Sequence, residues 1–288
     1  MLNKKLRDWG QACRRWFTGH AHNRDDRESS GEIVNRIKRW IGKNRRILTT
    51  VGVILAALLM VWTASNPAIV GVSASTRALP IYCVQRDNKE VSLTFDAAWG
   101  NQDTEQLIEI LAKYGVKATF FVVGDWVDRY PESVKALSDA GHEVMNHSND
   151  HAHFSKLSAD AIVRNINDCN DKIEGITGTR PNLFRAPYGE YDDNVVKTLT
   201  GLGMFTIQWD VDSLDWKDLS AREITKRVLD GVSPGSIVLF HNAAKHTPEA
   251  LPGIIEGLLA SGYSLAPVSE LLLPGEYYID HTGRQMAQ

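Results

Sequence analysis

The sequence predicts an α/β protein: a distorted, incomplete (β/α) barrel with mainly parallel strands, preceded by one transmembrane helix. Three observations lead there. From residue 90 onward, short β-rich runs alternate with runs of helical period, the pattern of a parallel sheet with helical crossovers, open or closed as a barrel. About seven such strands fall in roughly 185 residues, which suits an incomplete or distorted barrel. Upstream, an uncharged apolar run of 18 residues, Ile47–Ala64, divides a basic segment from an acidic remainder.

Residues 1–46 carry 13 Lys and Arg against 5 Asp and Glu, a balance of +8; from 32 and 35 in the whole chain, the remainder keeps 19 and 30, a balance of −11. An acidic surface does not neutralise phosphates, so nucleic acid is excluded as a partner. Within the basic segment, Ile33, Val34, Ile37, Trp40 and Ile41 recur at helical spacing among Arg36, Lys38 and Arg39. This suits a basic amphipathic helix on the inner membrane surface, with a disordered basic tail as the competing reading. Trp9, Cys13, Trp16 and Phe17 suggest a second such helix, and Arg24–Gly31 a linker between the two.

As a helix, the run 47–64 would cover about 27 Å, the thickness of a bilayer's hydrocarbon core. Arg45 and Arg46 abut its start, and the far side has no charge until Arg77. The positive-inside bias then places the N-terminus in the cytoplasm and residues 65–288 outside. Val72-Ser73-Ala74 has small residues suited to signal cleavage, but lies about ten residues beyond the run, and the basic region before it is long for a signal peptide. An uncleaved, single-pass anchor in the cell membrane is therefore expected.

Residues 65–88 mix Ser, Thr, Asn, Pro and Gly and read as a stalk; residues 89–272 form the folded domain and 273–288 a tail. In the domain, strands are expected at Val91–Phe95, Lys117–Val123, Glu143–Met145, Met204–Trp209, Ser236–Phe240 and Tyr263–Ala266. Helices are expected over 103–114, 131–140, from the Ser158 cap to Glu174, 192–202, 221–229, 248–260 and 267–273. Cys83 and Cys169 would both face an oxidising exterior, which leaves one disulfide open.

Five stretches carry the chemistry: Thr94-Phe95-Asp96, His147-Ser148-Asn149-Asp150-His151, Arg185-Ala186-Pro187-Tyr188, Asp212-Ser213-Leu214-Asp215-Trp216 and Leu239-Phe240-His241. Four follow or end a strand-like run, and carboxyl ends of parallel strands are where sites are built. Singly each has an ordinary reading. Asp96 could cap a turn, Arg185 could be a surface residue, the acidic run 210–215 could be solvated, and His241 could be a hydrogen-bonded core residue. His147 and His151 are spaced i, i+4, which on a helical turn would set both rings on one side for a metal ion. Together the inventory suits metal-assisted hydrolysis.

In order and wording the five resemble the motifs of NodB-type polysaccharide deacetylases, the fourth carbohydrate esterase family: Thr-Phe-Asp-Asp-Gly, His-Ser/Thr-x-x-His, Arg-x-Pro-Tyr, a fourth ending in Asp-Trp, and Leu-x-His. The resemblance spans about residues 89–272. It implies that Asp96 is a base, His147 and His151 metal ligands, and His241 an acid. It further implies that Arg185 orients Asp96, that Asp215 tunes His241, and that Tyr188 and Trp216 serve the oxyanion and the substrate. The implied cofactor is a divalent ion, zinc first, with cobalt, manganese and nickel as alternatives. The implied partner is an N-acetylated glycan, peptidoglycan or a chitin-like oligomer, and the implied reaction is removal of its N-acetyl groups.

One position departs. Where the family has its second Asp, a metal ligand, this chain has Ala97, followed by Ala98-Trp99-Gly100. Two histidines plus water, Asp96 itself, or another group such as Asp103 or Asp150 would then complete the site. A glycan-binding protein of the same fold without turnover is the rival reading.

Overall fold

The computed structural model describes residues 25–65 and 77–288, which fall in two units divided between Thr76 and Arg77. In the first, helix α1 (Asp25–Lys43) is followed by α2 (Arg45–Ser65). The stretch read as a linker, Arg24–Gly31, is helical from Asp25; the region of Trp9, Cys13, Trp16 and Phe17 lies outside the described residues. Val34, Ile37, Trp40 and Ile41 are exposed on α1. Among the described residues one helix is long and apolar enough to cross a membrane, with its span at Arg45–Trp62.

The second unit is a curled parallel sheet wrapped by helices, a half-barrel, as expected. Its strands are β2 (Glu90–Ala97), β3 (Thr119–Val122), β4 (Glu143–Asn146), β5 (Leu183–Phe184), β6 (Phe205–Thr206), β7 (Val211–Asp212) and β8 (Ile237–His241). They lie in the order β6-β5-β4-β3-β2-β8-β7, every pairing parallel, with β9 (Ser264–Leu265) added to the start of β2. Side chains alternate across β2. Val91, Leu93, Phe95 and Ala97 join the outer core beneath the helices, whereas Ser92, Thr94 and Asp96 face the interior. Phe95 packs between Phe120 and Phe240, with ring centroids 4.8 and 5.3 Å away.

The helices begin where capping chemistry allows. Ser158 caps Ala159–Thr177, Asp192 caps Asp193–Gly201, and Ser220 with Glu223 forms a capping box for Ala221–Gly231. A six-residue helix, Gly124–Arg129, was not expected; it is too short to show a period.

Two boundaries differ from expectation. Part of the stretch read as a stalk is structural: β1 (Cys83–Val84) pairs with β11 (Arg284–Ala287), itself paired with β10 (Tyr277–Ile279). The stretch read as a tail is therefore two strands of a second sheet. The incoming segment also bridges from β6 to the start of β8. Ile81 donates to the Thr206 carbonyl at 2.8 Å, and Val84 to the Gly235 carbonyl at 2.9 Å. Gly235 has φ 85°, and a Cβ there would collide with the Val84 carbonyl. Ile81 and Val84 plug the interior together with Phe121, Met145, Ile237 and Leu271. Cys83 and Cys169 are free, buried thiols, pushed by burial up to about 11 and about 12; no disulfide joins them.

His142, at the foot of β4, is buried against Phe120, accepts the Ala118 N–H through Nδ1, and leaves Nε2 without a partner. Burial, then the charge of Lys117, pushes it down to about 4. The folded state thus resists a proton that the unfolded chain takes near 6.5, so this contribution is present above that pH and lost as pH falls toward 4. Between pH 7.5 and 5 the wild-type unit is expected to lose about 2 kcal/mol from this group. A His142→Leu variant should lack that increment in denaturant unfolding at the two pH values.

Candidate active site

The top of the barrel is set by one rung of the sheet. Ala97 is opposite Val122, Val122 opposite Asn146, and Asn146 opposite Phe184. The chain leaves each strand just above that rung, so His147 and Arg185 follow β4 and β5 directly, while Asp96 lies opposite His241 on the neighbouring strand. Asp96, His147 and His241 line a pocket of about 460 Å³, with Arg185 fully buried behind Asp96.

Asp96 is buried. Its Oδ1 accepts from Arg185 Nη1 at 2.8 Å, and its Oδ2 is 3.5 Å from His147 Nε2. Arg185 is fully buried and reaches Asp96 through one nitrogen, not two; the same Nη1 donates to Thr94 Oγ1, and Nη2 to the Gln208 carbonyl. The Phe121 ring lies 4.2 Å beneath the guanidinium. Burial raises the Asp96 carboxyl, but the charge and hydrogen bond of Arg185 outweigh it and hold it below its ordinary value.

His147 and His151 do converge, but not from a helical turn. Strand β4 ends at Asn146, and the following loop turns tightly, with φ of 74° at Ser148 and 57° at His151. Asn146 Oδ1 accepts from Ser148 N–H, and Ser148 Oγ from His151 N–H. The two rings are 5.2 Å apart at 71°. His147 Nδ1 donates to the Arg185 carbonyl at 2.8 Å, which leaves Nε2 with its lone pair free toward Asp96. Burial holds both imidazoles neutral, His151 at about 4.

Across the pocket, Asp215 grips His241 at two points. Oδ1 accepts from Nδ1 and Oδ2 from the backbone N–H, both at 2.8 Å; Thr247 Oγ1 adds a third bond at 2.7 Å. Burial would lower the imidazole, but the Asp215 hydrogen bond, then Asp96, raises it above its ordinary value. The acidic run is not merely solvated: Asp210 accepts from Ser236 and Ile237, and Asp212 from Leu214 N–H. Tyr188 and Trp216 present exposed rings to the pocket, Tyr188 on a backbone with φ 60°.

Ala97 does not line this pocket. Its methyl lies in the outer core at 1% exposure, and Ala98, just past the end of β2, lines the pocket while packing partly on that core. Neither Asp103 nor Asp150 substitutes: Asp103 is buried on Ala243 N–H, and Asp150 accepts from Asn165. Among the described residues no group of three His, Cys, Asp or Glu is arranged to hold an ion. Two neutral imidazoles of suitable tautomer nevertheless match the donor chemistry of a borderline cation such as zinc, one protein ligand short of the usual catalytic set.

The sequence did not single out Asn242, Thr247, Gln208 or Trp209. Asn242 follows His241 directly, but only the fold shows it bonding across to residues 98–100.

The sequence profile of the family described as polysaccharide deacetylase matches residues 84–207, a span that ends before Asp215 and His241. Among curated proteins, the peptidoglycan-N-acetylmuramic acid deacetylase PdaC of Bacillus subtilis is 38% identical over 188 residues, 65% of this chain and 40% of PdaC. PdaA of the same organism, another peptidoglycan-N-acetylmuramic acid deacetylase, is 32% identical over 199 residues, 68% of this chain and 76% of PdaA. The chain spans 60%, 40% and 44% of the length of three curated relatives, PdaC among them. Among solved structures, wild-type BA3943, a CE4 family pseudoenzyme from Bacillus anthracis, is 39% identical with a TM-score of 0.65, covering 67% of this chain and 69% of BA3943. A BA3943 mutant with restored enzymatic activity is similar at 40% identity and the same TM-score, covering 67% and 71%.

Proposed function

Since the chain belongs to the polysaccharide deacetylase family, we propose that it is a membrane-anchored hydrolase that removes N-acetyl groups from an amino-sugar polymer, peptidoglycan foremost. One observation carries the reading: an Arg-held carboxylate, Asp96, and an Asp-held imidazole, His241, sit on adjacent strands and open on one pocket. A base and an acid placed together are what amide hydrolysis requires, because water must lose a proton and the departing amine must gain one.

Asp96, kept ionised by Arg185, takes the proton of the attacking water. His241, kept protonated by Asp215, gives one to the sugar nitrogen as the C–N bond breaks, so that water and amide become acetate and amine. The Tyr188 backbone N–H is assigned to the developing oxyanion. His147 and His151 would hold a divalent ion, zinc before cobalt, manganese or nickel; when bound it supplies Lewis-acid polarisation of the acetamide carbonyl. The missing third ligand favours weak retention, and the likeness to a pseudoenzyme supports the second reading, a glycan-binding protein without turnover.

The experiment is acetate release by the full chain from N-acetylglucosamine oligomers and from peptidoglycan, with and without each of the four ions. Acetate abolished by Asp96→Asn supports hydrolysis. Glycan binding with no acetate under any ion decides for the second reading.

The anchor reading rests on α2 and on the charge step at Arg45 and Arg46. Protease applied to intact cells is expected to remove residues beyond about 65 and leave the span and the cytoplasmic basic segment with the cell. Full protection of the folded unit would reverse the topology, and a mature chain starting near Ser75 would replace the anchor by secretion.

A further inference from the structure

We infer that Trp99, held over the site by Asn242, grips the sugar ring next to the acetamide and so sets which glycan the pocket accepts; this rests on the glycan reading of the site. Trp99 is 63% exposed, yet it lies on a firmly held loop. Asn242, itself 2% exposed, accepts the backbone N–H groups of Ala98 and Trp99 on its side-chain oxygen, at 3.2 and 3.5 Å, and donates its side-chain amide to the Gly100 carbonyl. Trp126 donates to that same carbonyl at 3.1 Å, and Ala243 N–H anchors Asp103 at 2.7 Å. An indole left bare on a loop fixed this way is not fraying; its uncovered face is built into the rim.

The rim has a definite composition. The Trp99 ring centre is 6.3 Å from that of His151, and the His151 ring is 4.5 Å from Tyr188, so the three form a continuous aromatic wall. Trp216, 56% exposed, lines the same pocket. A pyranose presents a face of C–H groups that buries well against indole, while its hydroxyls stay in water. A flat, rigid aromatic gives that contact with little ordering cost. Asn242 also donates its own N–H to the Asp96 carbonyl at 3.0 Å and is the neighbour of His241. It is thus a positioning residue: one side chain sets the sugar-binding wall in register with the strand end that carries Asp96.

The test uses the intact protein in detergent and the N-acetylglucosamine tetramer as probe, with affinity read by calorimetry and turnover by acetate release. Trp99→Ala is expected to raise Kd and KM about tenfold with a smaller change in kcat, and Trp99→Phe to recover most of the loss. Asn242→Ala is expected to weaken binding comparably in the wild-type background and little further in the Trp99→Ala background. A residue acting through another loses its effect when that residue is gone. Asn242→Asp keeps the acceptor for residues 98 and 99 and stands in should the alanine variant not fold. Unchanged affinity in Trp99→Ala, additive losses in the double variant, or no binding of the tetramer by wild type overturns the inference. Tenfold weaker binding in Trp99→Ala with no acetate from wild type supports it while overturning the hydrolytic reading.

Discussion

Ala97→Asp is expected to cost about 4 kcal/mol or more at pH 7, and Ala98→Asp little. The two positions are adjacent and both alanine, but Ala97 is buried in the outer core, whereas Ala98, just past the strand, is half-buried and lines the pocket. At position 97 a carboxylate would enter the packed layer among Phe95, Val122 and the outer helices, with no cation to meet it. It could stay there only protonated, and holding a carboxyl neutral at pH 7 costs about 4 kcal/mol relative to its ordinary range, before the added volume is counted. Because such a group is ionised in the unfolded chain above about pH 4, the loss should shrink as pH falls toward 4. Denaturant midpoints at pH 7 and 4.5 read this directly. At position 98 the carboxylate would enter the pocket that His147 and His151 also line, and metal titration of the intact protein is expected to show at least tenfold tighter retention. Tighter metal binding in the Ala97 variant would mean that β2 does not run regularly to its end.

His241→Ala is expected to lower turnover by roughly 10²–10⁴-fold, the worth of one general acid, without a comparable loss of glycan affinity. The stronger evidence is in the pH profile. Asp215 raises the His241 imidazole, so the acid form persists above pH 6.5 and the rate should fall on the alkaline side only beyond that point. Asp215→Asn keeps the shape but removes the charge, which lowers that pKa and moves the alkaline limb toward acid pH. Thr247→Ala leaves the charge and should move it less. An alkaline limb that stays in place in Asp215→Asn would remove His241 from the acid role.

Much of this was legible in the sequence because it rests on periodicity and order. β2, β3 and β8 are long enough to show as apolar runs, and Asp96 and His241 stand at the ends of β2 and β8. What failed to show has specific physical causes. β1, β5 and β7 are two residues each and carry no period of their own. The histidine spacing suggested a helix, whereas two positive-φ residues make the turn. The first motif marks residue 97 as the vacant ligand position, and only the fold shows its methyl in the outer core with Ala98 on the pocket lining. Asn242 escaped notice because its meaning is wholly non-local: its partners are about 140 residues away.

The segment 81–84 closes the barrel between β6 and β8, and that has a bearing on how such a protein can change length. A spacer between anchor and enzyme is ordinarily free to grow or shrink as the distance to its polymer demands. Here the last residues of that spacer are a stave in the wall, hydrogen-bonded to Thr206 and Gly235 and packed on Ile237. On the anchored reading proposed above, tension along the chain would reach the folded unit first at this seam, so residues 81–84 would bear the load.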